Sequence, residues 1–204
     1  MDYKQSLRAL SEIISGTYHP GPEDNSLENA ILTVANLDQS TLPRLQSQDH
    51  CRSIQNRLEY FAFRIQSGFV AISLFLRQMN SHKVHAQQHK RSIESCRASC
   101  LRTLRAFLDM QTFTAVPLRT WTFLHNALTS ALLLGILGEN DNGDARMLQT
   151  SLIDILMRSE EEGTTAKGFR SCFGRAVEDL KKMIAGTYKP GQGRTRDAEV
   201  DTEM

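Results

Sequence analysis

Charge of one sign is in short supply in this sequence, where 24 Lys and Arg offset 23 Asp and Glu to leave a formal net charge of +1. The basic residues are scattered rather than gathered into a stripe, so nothing offers an electrostatic footprint for a phosphate backbone. Nucleic-acid binding by this chain alone is not expected. Cysteine is scarce too: Cys51, Cys96, Cys100 and Cys172 form no C-x-x-C pair, which fits buried thiols in a reducing compartment better than a disulfide framework. The first ten residues, MDYKQSLRAL, interleave charge with apolar side chains and contain no apolar h-region. Nothing there marks the chain for secretion, and an intracellular place, nucleus or cytoplasm, is the expectation.

Catalytic signatures are missing as well. The chain has no G-x-S-x-G, no H-E-x-x-H, no Gly-rich phosphate loop and no D-D-x-x-D run. Their absence weakens an enzyme reading without removing it, and no cofactor is expected. Long hydrophobic runs are absent in the membrane sense. The most apolar stretch, Thr120 to Leu137 (TWTFLHNALTSALLLGIL), opens its apolar run only after His125 and Asn126 and stops at Gly138-Glu139-Asn140-Asp141. A spanning helix needs about 20 predominantly apolar residues, so a membrane anchor is excluded. A helix that is apolar nearly all round reads instead as the buried centre of a bundle.

What is present is helical periodicity. With 40% hydrophobic and 23% charged residues over 204 positions, the chain can bury one sizeable core. Apolar residues recur at three and four, and no period-two alternation flanked by hairpin turns is found. The expectation is an all-α, single-domain bundle of about seven helices over residues 1–190, with a disordered polar tail at 191–204. The helices are placed at Tyr3 to Ile14, stopped by Gly16; Ser26 to Leu37; Asp49 to Met79; Ser92 to Met110; the apolar stretch, begun by Pro117; Ala145 to Met157; and Thr165 to Ile184. Asp38 to Pro43 reads as a connection. In the long third helix, Ile54, Leu58, Phe61, Ile65, Phe69, Ile72, Leu76 and Met79 form the stripe that faces the core. Ile14 to Gly21 (ISGTYHPG) echoes Ile184 to Gly191 (IAGTYKPG). Each copy reads as a Gly-then-Pro helix stop, with a pairing of the two ends as the alternative.

Three constellations could carry chemistry. His82, His85 and His89 would share one helix face, and Cys96 and Cys100 would prolong it. From His85 to Cys100, however, a helix rises about 22 Å, too far for one ion, and the surrounding NSHKVHAQQHKR is polar. The histidines therefore read as a solvated connection and no metal is expected, while Cys96 and Cys100 read as small core hydrophobes. The third constellation is His125, Asn126, Thr129 and Ser130 within the most apolar helix, because buried polar groups cost free energy unless they are bonded. One reading is back-bonding to helix carbonyls and a hydrogen bond to another helix. The other is a ligand pocket in the bundle, with Trp121 as a flat wall, His125, Asn126 and Thr129 as orienting groups, and Arg64 at the edge of the core.

The order of these features resembles the carboxy-terminal half of the regulatory middle homology region of fungal-specific zinc-cluster transcription factors. The residues that carry the resemblance run from Leu42-Pro43 through SLFLRQM, SCRASCLRTLRAFL and VPLRTWTFLHNALTSALLLGIL to TAKGFRSCFGRAVEDL, about residues 42 to 184. The six-cysteine zinc cluster that binds DNA in that family does not occur in these 204 residues, nor does the coiled-coil linker that follows it. Where many members end the long helix with a Leu-His-Arg-Pro-like segment, this chain has Leu76-Arg77-Gln78. The resemblance implies a helical regulatory module detached from the reader of DNA. It would bind an apolar small molecule or a protein partner, with a homodimer allowed for. The alternative is a cofactor-independent enzyme, cyclase- or isomerase-like, or a carrier of a fungal secondary metabolite, built on the same pocket.

Overall fold

The computed structural model describes residues 3–18, 26–47, 53–80, 86–138, 142–163 and 168–188. Among them the chain forms eight helices and no strand: α1 Tyr3–Tyr18, α2 Ser26–Leu45, α3 Ile54–Met79, α4 Ala86–Gln111, α5 Val116–Arg119, α6 Trp121–Ile136, α7 Gly143–Glu161 and α8 Phe169–Ile184. The all-α bundle expected from the periodicity is what forms. The eighth helix arises because Thr120 adopts an extended backbone, at φ −106° and ψ 110°. This separates the single turn started by Pro117 from the long apolar helix. Thr120 then receives the Phe123 and Leu124 N–H groups on its own carbonyl, at 3.1 Å each, and starts α6.

Long helices start where a side chain takes up their orphan donors. Ser53 caps α3 by accepting from Asn56 N at 3.1 Å, and Asn142 caps α7 by accepting from Asp144 N at 3.1 Å. The echo of ISGTYHPG and IAGTYKPG divides in the structure. Gly186 ends α8 with φ 69°, its N–H bonding Met183 O and that of Thr187 bonding Lys182 O. That is the paired closure of a helix by a left-handed glycine. Gly16, by contrast, is passed by α1, which continues to Tyr18. Pro20 and the 191–204 tail lie outside the described residues, as do His82 and His85.

Tertiary packing overrides the expected connection at Asp38 to Pro43, which is helical within α2 despite Pro43. Proline removes one hydrogen bond near the helix end. The last turns are held instead by Val34, Leu37, Thr41 and Leu45, all buried at steps of three and four. Ser6 of α1 and Thr41 share a buried 2.9 Å hydrogen bond that ties α1 to this segment.

α3 is more than a one-sided helix. Ile65 and Ile72 face the main core with α4, α6, α7 and α8. Phe63, Val70 and Leu74 point the other way, into a second cluster with Leu10 of α1 and Val34 and Leu37 of α2. Ile54, placed on the core stripe by its spacing, is 64% exposed, because the helix has only just begun there. Cys96 and Cys100 of α4 are fully buried in the main core. The hydrogen bond to Cys96 and burial push the Cys100 thiol up, so it stays neutral and acts as packing.

α6 is enclosed by α3, α4, α5, α7 and α8, with Leu124, Ala127, Ala131 and Leu134 fully buried. Ser130 Oγ bonds back to Asn126 O at 2.7 Å. The cross-helix hydrogen bond comes from Gln149 of α7, whose Nε2 donates to Ala131 O at 2.8 Å. No helix of the described residues is long and apolar enough to cross a membrane.

Candidate functional site

α1, α3, α6 and α8 leave between them a cleft of about 550 Å³. Its position follows from helix geometry. Trp121 and His125 are one turn apart on α6 and so project from the same face, with Asn126 beside them towards the core. α3 supplies Gln66, Phe69 and Val70, α8 supplies Phe173, and α1 closes the remaining side with Leu7, Leu10, Ser11 and Ile14.

The aromatic rings form one connected set. Trp121 and Phe173 lie 4.9 Å apart between centroids, tilted by 38°. His125 meets Phe69 edge-on at 5.5 Å and 75°, and Phe173 lies 6.5 Å from His125. These spacings fall in the range where ring pairs attract. Trp121 remains 40% exposed and lines the cleft. Asn126 differs from its neighbours: it is only 2% exposed, yet it lines the cleft. Among the described residues its carboxamide has a single polar contact, Oδ1 to His125 Nδ1 at 3.5 Å. The described lining carries neither a carboxylate nor a lysine or arginine.

Of the residues singled out in the sequence, the fold thus brings Trp121, His125 and Asn126 to one cleft and leaves Thr129 and Arg64 out of it. Thr129, half-buried, is one helical turn past His125. Arg64 donates from Nη1 to Tyr60 Oη at 2.9 Å along its own helix and lies 5.5 Å over the Tyr60 ring. The α1 residues of the lining were absent from the sequence-based set. Their signal was there, in Leu7, Leu10 and Ile14 at steps of three and four, but periodicity does not say which helix a face will meet. His89 is an exposed residue of α4, and no group of three potential ligands able to hold a metal occurs among the described residues.

A smaller cavity of about 200 Å³ lies between α2, α3 and α4, beside Asp38 and Arg102. Burial raises the Asp38 pKa; the Ser67 hydroxyl, Arg102 and Arg64 pull it back only in part. Asp38 Oδ1 is buried without a hydrogen-bond partner among the described residues, and the Arg102 pair, at 3.8 Å with Arg102 half exposed, stabilises little. Above the ordinary value of 3.8, the native chain keeps a proton that the unfolded chain has released. Stability therefore falls as pH rises through the window up to the elevated native value. Asp38→Asn is expected to remove that slope and to melt above the wild type at neutral pH, which thermal unfolding at a series of pH values measures.

Comparison with protein-family models, with curated proteins and with solved structures finds no match.

Proposed function

We propose that this chain is a transcription-factor-like regulatory module, which responds to an apolar small molecule bound in the cleft between α1, α3, α6 and α8. The observation that carries the reading is the cleft itself, mostly apolar and aromatic, with a few polar groups converging on it and a volume in the range of about 300 to 1,000 Å³ usual for small-molecule sites. The order of helices resembling the regulatory region of fungal zinc-cluster factors supports a regulatory role, and the balanced charge supports a role apart from DNA contact. The described lining favours binding over turnover. Among the described lining residues His125 is the one imidazole, and that lining places no carboxylate or thiol beside it to act as a second catalytic group.

The test is a transcription assay. Fused to a heterologous DNA-binding domain, the chain is expected to change reporter output severalfold in cells that supply the ligand. Ser11→Trp, at an exposed position of the cleft wall, should abolish the change while leaving the helical circular dichroism intact. Equal reporter output from the two proteins would refute the proposal.

A further inference from the structure

Resting on that reading of the cleft, we infer that its ligand is a neutral, flat aromatic molecule bearing a carbonyl oxygen that accepts a hydrogen bond from Asn126 Nδ2. Flatness follows from the walls: the Trp121 and Phe173 rings, 4.9 Å apart and tilted by 38°, present a broad aromatic surface on which another ring stacks. The His125 and Phe69 pair continues that surface into the cleft. Neutrality follows from the described lining, which offers no charged side chain to offset the desolvation of an ionic group.

The carbonyl follows from Asn126. Its Oδ1 faces His125 Nδ1, a contact in which the imidazole N–H donates and the amide oxygen accepts. That leaves both Nδ2 hydrogens without an acceptor among the described residues, on a side chain that is 98% removed from solvent by the 2% exposure it retains. Asn126 lines the cleft, so a ligand oxygen placed against Nδ2 takes up this donor inside a mostly apolar wall.

Trp121 is the sole tryptophan, and its fluorescence therefore reports the cleft directly. The probes are prodan, a neutral naphthalene ketone; dimethylaminonaphthalene, which lacks the carbonyl; and naphthoate, its anionic relative. Prodan is expected to quench Trp121 saturably and to bind about tenfold more tightly than either of the others, one hydrogen bond's worth for the carbonyl-free dye. Asn126→Leu should erase the preference for the ketone. The infrared carbonyl stretch of wild-type-bound prodan should fall to the hydrogen-bonded frequency, a measurement that needs no variant to fold. Equal affinity for the two neutral dyes, a ketone preference surviving in Asn126→Leu, or a carbonyl stretch at the free frequency would overturn the carbonyl assignment and leave cleft binding standing. Tighter binding of naphthoate would overturn the neutrality. No saturable change with any probe would overturn ligand binding in this cleft, and with it the reading on which the inference rests.

Discussion

Leu124→Ala is expected to lower the unfolding free energy by about 2–5 kcal/mol, the range for a leucine truncated in a packed core. Leu124 is fully buried on α6, the helix enclosed by five others. The deleted atoms leave a void that its neighbours can fill only by shifting against several helices at once. Against a total stability of about 5–15 kcal/mol for a typical domain, the loss should appear as a large fall in urea midpoint at unchanged slope. Leu132 lies on the same helix but is only half-buried, so Leu132→Ala should cost clearly less. Equal losses at the two positions would mean that α6 is not oriented as described.

The second large effect is expected at Gly68 of α3, which packs directly against Thr103 of α4. A Cβ added there would stand 2.2 Å from Thr103 Oγ1 and 3.4 Å from Thr103 Cβ. Thr103 is fully buried, and its hydroxyl already donates to Ser99 O at 2.9 Å, so it has little room to give way. Gly68→Val should destabilise by about 3 kcal/mol through overpacking. Adding Thr103→Ala to that variant should recover part of the loss, because the two side chains compete for one space and their effects do not add. A Gly68→Val protein as stable as the wild type would show that the α3–α4 contact is looser than this geometry.

Both expectations concern contacts between helices, and the cleft depends on the same kind of contact. His125 and Asn126 stand out in the sequence because polar groups inside an otherwise apolar helix read as needing a partner, with Trp121 beside them as a flat wall; the fold buries Asn126 but leaves His125 and Trp121 exposed. Thr129 met the same criterion and lies elsewhere, since one further turn of α6 carries it past the cleft. Arg64 was drawn in by its apolar neighbours, but its guanidinium reaches Tyr60 on its own helix. The contribution of α1 depends on where that helix docks.

By itself, the sequence determined that the chain is all-α, because a three-to-four period of apolar side chains buries one face of a helix and leaves a strand with no consistent face. It also placed the apolar helix at the centre, since a helix without a polar face has no side to offer water. It could not determine the continuation of α2 through Pro43, the break at Thr120, or the double-sided burial of α3. These are settled by what packs where: Thr41 and Leu45 hold the end of α2 to its neighbours, and two clusters compete for opposite faces of α3. Only the tertiary structure made the cleft, because an empty volume belongs to no residue. It exists where α1 and α8 cross α3 and α6 without filling the space between them.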